Sequence, residues 1–203
     1  MKKWLAAAFI LAAVSFQNAS ATPVVLGFDD LIQSEDMLAP VPENHGGILW
    51  DSGIDWTEGW LVMTTDQAYY PSSSGEFVAF GWLDQLGVTF DAPVQFHGAF
   101  FAGFANIAFE LYQLGTLVHT SDTLTVNTEE TPALWLDSGY SGLIDRVVIR
   151  TDNPFAWVMD DFTFTPESPV QEISEPSLVA LLLLALTIIG FALKNQRYRS
   201  TRL

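Results

Sequence analysis

No stretch between residues 22 and 165 keeps a 3.6-residue hydrophobic period over three turns. The region instead carries short alternating or β-branched runs: "VVLGF", "GILW", "EFVAFGW", "VQFHGAFFAGF", "IAFELY", "TLVHTSDTLTV", "RVVIR" and "FAWVMDDFTF". Gly, Pro, Asn, Asp and Ser separate these runs, and those residues favour turns. Strand side chains alternate between two faces, so such a run buries one face against a second layer. Many short strands with turn signals between them predict an all-β domain, an antiparallel jelly-roll-like β-sandwich over 22–165. Within it "ELYQLGTLVHT" reads as a hairpin turning at Gln113–Gly115.

The two ends are of another kind. "MKKWLAAAFILAAVSFQNASA" has a basic start, an apolar run and a small-residue Ala19-Ser20-Ala21 site, so 1–21 reads as a secretory signal peptide. Residues 166–175, "PESPVQEISE", form a polar Pro/Ser/Glu linker. Leu178 to Leu193 then runs without a charge, and four of the chain's eight basic residues follow in 194–203. A soluble core helix would carry a polar face, and this run offers only Thr187 and Gly190. It reads as one C-terminal transmembrane helix over 178–193, with Lys194 snorkelling at its end. The basic end places the terminus in the cytoplasm and 22–175 outside, the orientation that a signal peptide also requires.

Glu175-Pro176-Ser177, an apolar span and a basic terminus follow one another in a fixed order. That order over 176–203 resembles the PEP-CTERM sorting signal, in which a Pro-Glu-Pro motif precedes the span. Ser174 stands where the first proline of that motif is usual. The resemblance implies an exosortase as partner, with Glu175 and Pro176 as the sorting and processing motif. It also implies export in a Gram-negative bacterium that makes extracellular polysaccharide. The protein would be held in the inner membrane with its ectodomain in the periplasm, then passed to the cell surface or extracellular matrix.

Charge narrows the partners. All 24 acids, but only Arg146 and Arg150 among the basic residues, lie between Lys3 and Lys194, a net of −22. Phosphate contacts need Lys and Arg, so this surface excludes nucleic acid as a partner. No cysteine is present, hence no disulfide and no thiolate metal site.

The ectodomain opens with "LGFDDL", passes "HGGILW" and "DAPVQFHGAFFAG", and closes with "IDRVVIRTDNPFAWVMDDFTF". This series resembles the extracellular β-sandwich carried by PEP-CTERM proteins and is similar to galactose-binding-like carbohydrate-binding modules. The resemblance implies a jelly roll and extracellular polysaccharide as a partner, without naming the sugar.

The Asp pairs have their own chemistry. In "FAWVMDDFTF" strict alternation would put Ala156, Val158, Asp160, Phe162 and Phe164 on one face and Trp157, Met159, Asp161 and Thr163 on the other. Either way a carboxylate stands in an apolar row, where it must be paired or bound to a metal. Two arginines cannot pair 24 acids, so a structural Ca²⁺ held by Asp29, Asp30, Asp160 and Asp161 is the metal expectation, given neighbouring terminal strands. The competing reading is solvated strand-end acids that accept backbone N–H groups.

Trp50, Trp56, Trp60, Tyr69, Tyr70 and Trp82 crowd the first half of the domain. Large aromatics in a sandwich are mostly core. Trp56 and Trp60, in the polar segment "DWTEGW", are the candidates for exposure and for stacking on a sugar ring.

No catalytic residue is expected. "ILWDSGI" and "LWLDSGY" resemble the aspartic-protease signature, but the chain after Asp137 is too short for a second lobe. "SGYSGL" lacks the nucleophile-elbow spacing, and His45, His97 and His119 stand in no metal motif. The function expected is a binding or structural one, with a secreted hydrolase as the alternative.

Overall fold

The computed structural model describes residues 21–31, 38–52, 58–128 and 132–167. The chain divides into two units, Met1–Ser168 and Pro169–Leu203, and all the described residues lie in the first. Trp56, Glu175, Pro176, the signal peptide and the 178–193 span therefore lie outside the described residues. Among the described residues, no helix is long and apolar enough to cross a membrane.

Among the described residues eleven strands follow in order: β1 (Val24–Leu26), β2 (Leu38–Pro40), β3 (Leu49–Trp50), β4 (Trp60–Thr64), β5 (Phe77–Gly81), β6 (Gln85–Gln113), β7 (Thr116–Thr120), β8 (Leu124–Asn127), β9 (Leu134–Asp137), β10 (Ile144–Thr151) and β11 (Trp157–Pro166). The described helix content is one 3₁₀ turn at His45–Gly47. The all-β, sandwich-like expectation holds.

β6 organises the fold. It is 29 residues long and joins strand runs that its glycines and turn residues divide in the sequence. Those glycines bend the strand without ending it. At Gly103 φ is +118°, and a Cβ there would lie 2.2 Å from the Ala156 carbonyl oxygen, so only glycine permits this approach. The early part of β6 pairs with β10, and its late part pairs with the other edge of β10. Val147 faces both Val88 and Leu111. Partner numbers fall as β10 numbers rise on both sides, so each ladder runs antiparallel. The middle of β6 pairs with β11 and β9, and β11 passes the order on to β5, β4 and β2. One sheet thus folds over on itself into two layers.

The core lies between the layers. Leu86, Val88, Val147, Ile149 and Leu111 of one meet Val62, Ala79, Phe101, Met159 and Phe162 of the other. A smaller apolar cluster lies on the far face of the second layer: Leu61, Val78, Phe80, Ala102 and Val158, with Met63, Tyr70 and Trp82 against them.

The hairpin turns where the sequence places it. β6 ends at Gln113 and β7 starts at Thr116, with positive φ at both Leu114 (50°) and Gly115 (73°). That geometry matches the right-handed twist of the flanking strands.

Two expectations need correction. Trp60 is 2% exposed and belongs to the core. Its indole N–H donates to the Gly87 carbonyl at 2.9 Å, and its ring makes edge contacts with Trp50 (5.3 Å) and Trp157 (5.7 Å). As the first residue of β4 it takes the inward position, and a buried carbonyl satisfies the one polar atom that a polar segment seemed to keep wet. The strict alternation of β11 also fails. Trp157 and Met159 face the core, and so do Phe162 and Phe164. The register against β6 shifts between Asp160 and Thr163, and Asp161 has φ +50°. A bulge at Asp160–Asp161 resets the inward parity, which a period-2 reading cannot register.

Candidate functional site

β1 pairs with the second half of β11, Leu26 opposite Phe162, so the two ends of the domain are neighbours. The chain leaving β1 therefore runs past the β11 bulge. Asp29 Oδ2, Asp161 Oδ1 and Asp160 Oδ1 lie 3.8, 3.9 and 4.0 Å from the point where a side chain at Gly27 would begin. Asp30 is exposed and is not one of the carboxylates that meet there. Three of the four expected aspartates thus converge.

What they hold was not foreseen. The segment Ser73–Phe77 lies across them. Backbone N–H groups of Ser73 and Ser74 both donate to Asp160 Oδ2 at 2.9 Å. The Ser74 hydroxyl donates to Asp161 Oδ1 at 2.8 Å, and the Ser73 hydroxyl donates to Asp161 Oδ2. N–H groups of Glu76 and Phe77 donate to Asp29 Oδ1 at 2.6 and 3.2 Å. Gly75 has φ +58°, and a Cβ there would come within 1.9 Å of Asp29 Oδ2. "SSSG" was the sequence signal, a run of small hydroxyl residues closed by a glycine that fits a tight acid-capped loop.

Asp160 is the electrostatic centre of this cluster. It is 2% exposed. Burial pushes its carboxyl up to about 6, and the charge of Asp161 adds to that, while the N–H groups of Ser74, Asp161 and Ser73 pull the other way. Neither arginine relieves it. Arg146 forks onto Asp51 at 2.9 and 2.6 Å, and Arg150 reaches Glu110 at 3.0 Å.

A hard cation needs oxygen donors. The three oxygens nearest Gly27 are donors of the type Ca²⁺ takes, but Asp161 Oδ1 accepts the Ser74 hydroxyl and Asp160 Oδ1 accepts the Asp161 N–H, so an ion would compete with those hydrogen bonds. Among the described residues, no three His, Cys, Asp or Glu side chains already stand as a metal-ligand group. An ion would have to draw these oxygens inward.

A second arrangement lies on the far face of the layer formed by β4, β5, β11 and the middle of β6. Trp82 packs against Phe80 (5.1 Å) and Phe155 (5.6 Å). Tyr69 and Tyr70 flank Phe104 at 6.3 and 6.4 Å, and Trp135 meets Phe100 at 5.1 Å. Phe155 is 68% exposed, Tyr69 49% and Trp135 37%. The turn before β11 builds the end of this face. Asn153 Nδ2 donates to the Phe104 carbonyl at 2.9 Å, and Phe104 N donates to the Ala156 carbonyl at 2.6 Å. From the sequence Tyr69, Tyr70 and Trp82 counted among aromatics that are mostly core, and Trp56 and Trp60 were the candidates for exposure. Phe104, Trp135 and Phe155 were not legible either, because pairing between distant strands brings them there.

The other singled-out residues have local roles. Asp51 accepts the Arg146 fork and the Gly87 N–H, and Asp137 accepts the Gly139 N–H at 2.8 Å. His97 bonds the Thr165 hydroxyl at 2.7 Å, and His119 stacks on Tyr140.

No family model matches the chain, and no curated protein matches it. Among solved structures, an apo-form cyclase from Fischerella sp. is similar over 75% of this chain and all of its own, with 18% identity and a TM-score of 0.41. A likeness that remote carries no argument about activity.

Proposed function

We propose that this protein is an exported surface or matrix protein whose jelly-roll-like ectodomain binds extracellular polysaccharide. The observation that carries the binding reading is a set of exposed rings, Trp135 on β9 and Tyr69 and Phe155 on turns, each packed against a further aromatic: Phe100, Phe104 and Trp82 respectively. Rigid, half-exposed aromatics stack on the C–H faces of sugars at little entropic cost. The location rests on the sequence of the ends: a signal peptide over 1–21, a single span over 178–193, and Glu175-Pro176 as the motif an exosortase would process. Within this reading the Asp29/Asp160/Asp161 cluster is the place for a structural Ca²⁺, clamping the ends of the domain to the Ser73–Gly75 loop.

Affinity electrophoresis of the protein through gels cast with a panel of polysaccharides tests the binding. Retardation without reducing-end release supports a binding module. Release that a single Asp or Glu substitution abolishes would make it a hydrolase instead.

A further inference from the structure

A groove of about 630 Å³ opens beside the Phe104 end of the aromatic face. Its walls come from β6, β8 and the turn before β11, and they include Phe104, Asn106, Thr125, Asp152 and Asn153. Asp152 accepts the Asn106 backbone N–H at 2.8 Å and its side-chain amide at 2.7 Å. The Thr125 hydroxyl donates to Asn106 Oδ1, so the polar wall is preorganised. Phe155 stands on the same turn, against Trp82.

We infer that this groove is a subsite for neutral, hydroxyl-rich polysaccharide, and that uronate- or sulfate-bearing polymers are excluded from it. The inference rests on the glycan-binding reading and narrows it. Amide and carboxylate groups beside an aromatic ring suit sugar hydroxyls and C–H faces. No Lys, Arg or His side chain lines the groove. Asp152 is the charged group in its lining, and the Asn106 N–H groups hold that carboxyl below its usual range, so it stays ionised. Arg146 and Arg150 are the only Lys or Arg residues between Lys3 and Lys194, and neither lines the groove: Arg146 is forked onto Asp51, and Arg150, two residues before Asp152, is engaged by Glu110. The net −22 of that region repels a polyanion before contact. A polycation would adhere to the whole acidic surface and be released by salt, without using the rings or amides.

The test is affinity electrophoresis of the full chain in mild detergent. The gels contain neutral polymers (a β-glucan, an α-glucan and a galactomannan), a uronic-acid polymer, or chitosan, each at low and high NaCl. At least one neutral polymer should retard the protein equally at both salt levels, and the uronic-acid polymer should not retard it at either. Thr125→Trp, at an exposed groove position, should weaken retardation about tenfold or more. Phe155→Ala, at an exposed turn, should weaken it several-fold, with both variants melting like the parent. Stronger retardation by the uronic-acid polymer would overturn the inference and leave glycan binding standing. So would retardation by chitosan alone, or unchanged binding in both variants. No retardation by any polymer would overturn both.

Discussion

Substituting Asn for Asp160 isolates the titration of one buried carboxylate. The folded state holds the Asp160 proton up to about pH 6, against an ordinary value of 3.8. The fold therefore binds this proton more tightly than the unfolded chain does, and stability rises as pH falls through the interval between the two values. Integrating that linkage from about pH 7.5 to about pH 5 gives ~1.4 kcal/mol of added stability from this one group. For a domain of this size that is roughly 3–5 °C in Tm. The interval also stops short of the range where Glu110 and Asp152 protonate, since hydrogen bonds hold both below their ordinary values. Urea unfolding of the 22–168 fragment, followed by fluorescence of Trp50, Trp60 and Trp157 at constant ionic strength, reads the effect. Asp160→Asn cannot titrate. Its amide also sets an N–H₂ group against N–H donors on one side, so its absolute stability falls for a separate reason. The decisive quantity is the pH difference of the parent minus that of the variant. If the two proteins share the same pH dependence, or the parent loses stability toward pH 5 while the variant does not, the account of Asp160 is wrong.

Further predictions follow the same contacts. Trp60→Ala should cost about 3–5 kcal/mol, because it opens a core cavity and removes one of the two N–H donors to the Gly87 carbonyl; a loss under 1 kcal/mol in urea unfolding would contradict its placement. Gly75→Ala should destabilise by about 1–3 kcal/mol, since a side chain there must take positive φ and displace Asp29; an unchanged Tm would show that the loop is not held as described. Millimolar CaCl₂ should stabilise the fold beyond NaCl or MgCl₂ at equal ionic strength, by about 2.7 kcal/mol at one hundred times Kd and read as a higher melting temperature, and Asp161→Asn should erase the difference; identical melts would remove the calcium proposal. Protease added to spheroplasts should digest the ectodomain and spare an epitope placed after Leu203; the reverse pattern would refute the orientation.

Local pattern decided the class of this fold. Alternating runs, turn residues and the absence of a helical period are properties of neighbouring residues, so the strands and the Leu114–Gly115 turn were legible in the chain. The Asp pairs were also legible as a problem, because acids in apolar rows without enough arginines need a partner wherever the rows lie. The partner was not legible. It is the Ser73–Phe77 segment, more than eighty residues from Asp160, and only the pairing of β5 with β11 brings the two together. Trp60 shows the same limit. Its polar neighbours are neighbours in sequence only, whereas its burial comes from Trp50, Gly87 and Trp157 on other strands. A one-residue bulge reversed the parity of β11, and glycine bends let β6 serve both layers. Strand neighbours, register and bulges are set by interactions across the whole chain, and these decided which side chains form the core, the acid-held loop and the exposed aromatic face.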